Sequence, residues 1–127
     1  MYALTGDARY RSVADRALSA VGPGIARYAT AFAQWLSAAD FLVGQTSEIA
    51  VVGVGAERDS LVEVVRECYR PRSVLAVGNG STDSQVPLFN NRGLVDGRAT
   101  AYVCHGFECD LPTRDVDEVR ELLNLNE

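Results

Sequence analysis

At 127 residues, with 47% hydrophobic and 23% charged residues, the chain has the size and composition of one folded globular unit and is too short for two. Seventeen acidic against twelve basic residues give a formal net charge of −5, a surface sign that repels phosphate backbones and excludes nucleic acid as a partner. All the bases are arginine, which excludes a Schiff-base lysine, a P-loop lysine and a lysine general base.

No apolar run approaches the roughly 20 residues that span a bilayer, and the amino terminus lacks the order of a signal peptide. The expectation is a cytoplasmic protein with no membrane partner. Three cysteines, Cys68, Cys104 and Cys109, are too few and too odd in number for a disulfide framework, in keeping with a reducing compartment.

Tyr10, Val13, Ala14, Ala17, Leu18 and Val21 follow steps of three and four, predicting a helix from about Asp7 with Thr5 as its N-cap. Gly22-Pro23-Gly24 is expected to break it. Ile25 to Leu42 regains helical spacing through Ala29, Phe32, Trp35, Leu36 and Ala39, so a short turn would leave an antiparallel hairpin. Tyr28, Phe32 and Trp35 lie on or next to the apolar stripe, where core or interface packing is the default.

After Gly44 the period changes. Glu48-Ile49-Ala50-Val51-Val52-Gly53-Val54 reads as a strand buried on both faces. Ser60 with Glu63 reads as a capping box for a helix facing inward through Leu61, Val64, Val65 and Cys68, ended by Pro71. Ser73 to Val77 is the next strand, which makes a βαβ unit. Gly78 to Arg98 is a long irregular connection interrupted by Val86-Pro87-Leu88-Phe89; Ala99 to Cys104 is a third strand, and Asp115 opens a last helix with Val116, Val119, Leu122 and Leu123 inward. The expected fold is α/β: a small three-stranded, mainly parallel sheet with flanking helices, preceded by an antiparallel helical hairpin. The hairpin would occupy residues 1–44 and the α/β unit residues 45–127, together one compact domain.

The βα unit from Glu48, Tyr69-Arg70-Pro71 before the next strand, and above all Ala99-Thr100-Ala101-Tyr102-Val103-Cys104 followed by Cys109-Asp110-Leu111-Pro112 carry a resemblance. Nearly the whole chain is similar to the carboxy-terminal end of the thioredoxin-domain-containing, spermatogenesis-associated-protein-like family. The resemblance implies an amino-terminal thioredoxin-like domain and a toroid of paired helices like that of N-acylglucosamine 2-epimerases and six-hairpin glycosidases, neither contained here. The Tyr10 to Leu42 helices would then be a last hairpin of the toroid, with the remaining domains of the parent protein as partners.

Candidate chemistry gathers at two places. Gly53-Val54-Gly55 begins a dinucleotide fingerprint, but Arg58 stands at the third glycine and Asn79 where a ribose-binding acid would end the second strand. A simpler anion site at the same turn would use Gly53, Gly55, Arg58, Ser60 and Asn79, with the loops Gly53 to Arg58 and Gly78 to Ser84 at the strand ends. Cys104 and Cys109 enclose His105, too few ligands for a tetrahedral zinc site. Within the family resemblance they form a thiol redox element that could exchange electrons with the thioredoxin-like domain; the alternative is a buried Cys104 and a Cys109 packed under Leu111-Pro112. His105 is the sole histidine, and strand alternation turns it away from Cys104. Neither a catalytic residue, a metal nor a cofactor is assigned. The leading expectation is a non-catalytic structural and interaction module that dimerises through the Tyr10 to Leu42 helices when isolated, ahead of a small-ligand or anion-binding module and the thiol element.

Overall fold

A computed structural model describes residues 1–81 and 85–124. Helix α1 (Tyr2–Thr5) leads into α2 (Ala8–Arg27), and a 3-10 turn at Ala29–Phe32 joins α2 to α3 (Ala33–Val43). The first strand, β1 (Ser47–Val52), is followed by α4 (Gly55–Arg66) and β2 (Ser73–Gly78). A second 3-10 turn, Pro87–Phe89, lies in the connection to β3 (Thr100–His105), and β4 (Glu108–Cys109) and α5 (Val116–Asn124) complete the described chain.

The sheet has four strands in the order β2-β1-β3-β4, with β1 and β2 parallel and every other pair antiparallel. This corrects the expected three-stranded, mainly parallel sheet. Among its described residues the connection from β2 to β3 contains no α-helix, and parallel strands need a long, usually helical crossover whereas antiparallel ones do not. β4 escapes detection because two residues carry no periodicity.

The helical segment is corrected in detail. α2 runs through Gly22-Pro23-Gly24 and ends only at Arg27. Pro23 forgoes its own helical N–H bond without ending the helix, and Gly24 accommodates the ring of Phe32: a Cβ there would meet it at 2.8 Å. Chain reversal falls instead at Tyr28–Phe32. Asp7, not Thr5, caps α2 by accepting the Arg9 N–H at 2.9 Å, while the Thr5 hydroxyl accepts the N–H of Asp7. α4 begins at Gly55, before the expected capping box, so Ser60 sits inside the helix and donates to the Ala56 carbonyl. The helix stops at Arg66, which leaves Cys68 exposed beyond it rather than on the inward stripe.

Two apolar layers enclose the sheet. On one face Ile49, Val51, Ala101 and Val103 pack with Leu61 and Val65 of α4 and Val119 and Leu123 of α5. On the other, Ala50, Val52, Ala76, Tyr102 and Cys104 meet Leu88 and Phe89 of the irregular connection and Leu4 of α1. Leu88 is wholly buried, and the Tyr102 hydroxyl donates to the Gly93 carbonyl at 2.7 Å, pinning the connection to the sheet. Asp115 caps α5 by accepting the N–H groups of Asp117 and Glu118.

Truncating Leu88→Ala removes a core side chain from a segment without regular structure. The expected loss is about 3 kcal/mol, read as a lower urea midpoint, as for other buried leucines; a loss within the ordinary surface range of about 0.5 kcal/mol would show that the connection is not a core layer.

Candidate functional site

The β3–β4 hairpin turns through Gly106 and Phe107, both at positive φ (59° and 69°), as a two-residue hairpin requires. Phenylalanine is an unusual occupant of that region, and its surroundings hold it there. Its ring meets Tyr2 edge to face at 5.9 Å and lies against Gly6, while its N–H donates to Glu48 Oε2 at 3.1 Å. The tip of the sheet is thereby tied to α1 and to β1.

The hairpin register sets Cys104 opposite Cys109, and the two are joined by a disulfide. Asp110 donates to the Val103 carbonyl, which leaves 104 and 109 as the closer, non-hydrogen-bonded pair. Cys104 is fully buried and Cys109 exposed. On the other side of β3, Cys104 faces Glu48, so Glu48, Cys104 and Cys109 form a row on one face of the sheet. The Arg92 guanidinium points its Nε and one terminal nitrogen at Cys109 Sγ, at 3.1 and 2.9 Å, with its other terminal nitrogen held by the Leu88 carbonyl at 2.6 Å.

Glu48 is only 3% exposed. Burial pushes its pKa above the ordinary 4.5, while the Phe107 N–H, His105 and Arg92 oppose the shift. His105 lies one residue on and faces away from Cys104; its Nδ1 is 3.4 Å from Ser47 Oγ, and its buried Nε2 has no hydrogen-bond partner. With no carboxylate on that nitrogen, the Ser47–His105 contact does not make a catalytic triad. Among the described residues no three His, Cys, Asp or Glu side chains converge on a metal position.

The glycine turn carries the residues of the expected anion site. Gly53 (φ 141°) packs so closely that a Cβ would lie 2.6 Å from that of Ala99, and Gly55 (φ 74°) opens α4. Arg58 pairs with Asp59 at 2.5 Å, and Glu57 in the first turn of α4 pairs with Arg98 at 2.7 Å, so acidic groups already answer the positive end of the helix. Ser60 is spent within the helix, and Asn79 accepts the Ser81 N–H at 2.9 Å beside a separate hollow formed with Val52, Gly78 and Phe89. The Gly53 N–H donates to the Gly78 carbonyl at 2.9 Å, which sets the glycine turn beside Asn79 at the ends of the parallel pair, and Ser84 lies outside the described residues. Sequence reasoning missed Glu48 and Arg92. Glu48 is signalled as the one acid in an apolar strand; Arg92, in the irregular connection, has no sequence signal.

No family model matches the chain, and no solved structure matches it. Spermatogenesis-associated protein 20 of Homo sapiens is 32% identical over 83 residues, covering 61% of this chain and 11% of that protein. The chain is similar to one segment of a longer protein. The match supports the spermatogenesis-associated resemblance and spans about a tenth of the relative's length. Among the described residues no helix is long and apolar enough to cross a membrane.

Glu48 generates a pH signature. Its folded-state pKa lies above its unfolded one, so between the two values the unfolded chain has released a proton that the folded chain keeps, and stability falls as pH rises through that window. Glu48→Gln is expected to remove this loss, becoming more stable than wild type at neutral pH, with the difference vanishing below the ordinary value of 4.5. Urea denaturation across pH checks it; parallel profiles would deny the shift. Opening the short Cys104–Cys109 loop with reductant is expected to lower stability by about 2 kcal/mol, measured in the same way.

Proposed function

We propose that the chain is a non-catalytic structural and interaction module of a larger protein of the spermatogenesis-associated kind, with α2 and α3 docking against further paired helices of the same polypeptide as the last hairpin of a toroid. The single observation behind this reading is that α2, twenty residues long, buries none of its side chains. A helix of that length in a small domain ordinarily owes its stability to an apolar face packed on a core. Here Tyr10 and Val13 are half-exposed on that face, and Tyr28, Trp35 and Leu36 are exposed further along the same segment.

A hollow of about 570 Å³ lies between α1, α2 and α3, walled by Tyr2, Tyr10, Val13, Phe41 and Leu42, with the carboxyl-bearing Glu48 also lining it. Its apolar walls suit the side chains of an amphipathic helix. The occupant is taken to be a helix of the same larger polypeptide because the similar human protein is far longer than this segment. The remainder of the module is anchored below: Asp40 of α3 pairs with Arg72 at 2.5 Å, and this guanidinium holds the Asp40 carboxyl below its usual range.

Uncovered, the stripe is expected to draw copies together. Analytical ultracentrifugation should show weak, concentration-dependent association through the Tyr10 to Leu42 helices, abolished in the Val13→Glu, Leu18→Glu double variant. A tight two-fold dimer would assign the face to a second copy instead of a neighbouring helix, and a strict monomer at high concentration would remove its role in docking.

A further inference from the structure

We propose that Cys104 and Cys109 are a reversible dithiol–disulfide pair, in which Cys109 exchanges with an external thiol or disulfide, Cys104 resolves, and Arg92 and Glu48 position the exchange. This goes beyond the docking role and does not rest on it. Four observations carry it. The two sulfurs are unequal, since Cys109 is exposed and Cys104 fully buried, so an external reagent has access to only one. Arg92 aims two N–H groups at Cys109 Sγ. A disulfide sulfur is a weak acceptor, whereas a thiolate in that position would receive a charge-assisted pair. The guanidinium is fixed by the Leu88 carbonyl, so the arrangement is built before the bond opens. On the far side of Cys104, directly across the β1–β3 register, stands the buried Glu48, whose carboxyl can accept and return a proton.

The alternative is a plain staple. The bond closes only a two-residue hairpin turn already held by backbone pairing, and such short loops add the least constraint to an unfolded chain. A staple has no use for a guanidinium on one sulfur and an acid beside the other.

In the oxidising direction the Cys109 thiolate attacks one sulfur of an external disulfide. A Cys109–external mixed disulfide forms and one external thiolate leaves. Cys104 then gives its proton to the Glu48 carboxylate, and its sulfur displaces the second external thiolate, closing Cys104–Cys109. The protein dithiol is oxidised by two electrons and the external disulfide is reduced to two thiols. An external dithiol runs the sequence backwards: its thiolate attacks Cys109, Cys104 leaves, Glu48 returns the proton, and the second external thiol releases Cys109.

The titratable and charged groups around the pair are Arg92 from the connection, Glu48 from β1, His105 from β3, and Glu108 and Asp110 flanking Cys109. In the full-length Cys68→Ser, Cys104→Ser chain, where Cys109 is the remaining thiol, the pH dependence of its alkylation by iodoacetamide is expected to have its midpoint below the ordinary thiol value of about 8.5. Adding Arg92→Met should move the midpoint upward, and Arg92→Lys, which keeps a point charge without the fork, should leave it between. If Arg92→Met fails to fold, the lysine variant alone decides. Equal midpoints in all folded variants would overturn the role of Arg92. In the chain with Cys104 and Cys109 intact, dithiothreitol is expected to open the disulfide while the far-ultraviolet spectrum stays folded; reduction only after urea unfolding would make the bond a staple and end the proposal. Glu48→Gln should slow closure of a preformed Cys109–glutathione mixed disulfide severalfold, and an unchanged closure rate would overturn the part given to Glu48.

Discussion

Strand β1 is the member on which the other layers depend. It pairs with β2 on one side and β3 on the other, and Glu48 through Val52 are all buried. A strand with no free edge and no free face must satisfy every backbone group through its neighbours and fill both layers with its own side chains. Ile49 and Val51 do so under α4 and α5, and Ala50 and Val52 above the irregular connection. The cost of that position is concentrated in Glu48, whose carboxyl is carried into the second layer and answered by the Phe107 N–H.

That answer links regions far apart in sequence. The Phe107 turn touches Tyr2 and Gly6 of the amino-terminal segment, its N–H meets Glu48, and Glu48 is opposed to Cys104. Since Glu48 also lines the hollow under α2, the docking face and the disulfide share a carboxyl group. A helix laid in the hollow would deepen the burial of that acid and favour its neutral form. The two proposed roles are therefore physically adjacent, although neither needs the other.

Much of this was legible from residue order. The β-branched run at Ile49 to Val52 and the Ser73 to Val77 segment announced the parallel pair, and Val119 and Leu123 of the last helix sit where their spacing put them. The direction of β3 was missed although the irregular reading of Gly78 to Arg98 pointed to it, since an antiparallel neighbour needs no helical crossover. Pro23 misled because a proline removes one backbone donor and crowds the preceding turn without always ending a helix, and α2 continues past it to Arg27. At the site, the pairing of Cys104 with Cys109 was left open, whereas the turn away of His105 could be read from alternation. Arg92 could not, since its aim at Cys109 is fixed by a carbonyl in a segment without periodicity.

The layer made by Leu88 and Phe89 has a consequence for how this sequence can drift. Connections between strands are ordinarily where homologous chains lengthen and shorten freely. Here the stretch around Pro87 behaves as a fourth wall of the interior, and its length is set by the reach from Leu88 over the sheet to the Gly93 carbonyl beneath Tyr102. Variation in chain length should be diverted to the small reversal at Asp96 and Gly97, where left-handed backbone closes the Val95–Arg98 bridge and a Cβ at Gly97 would meet open space.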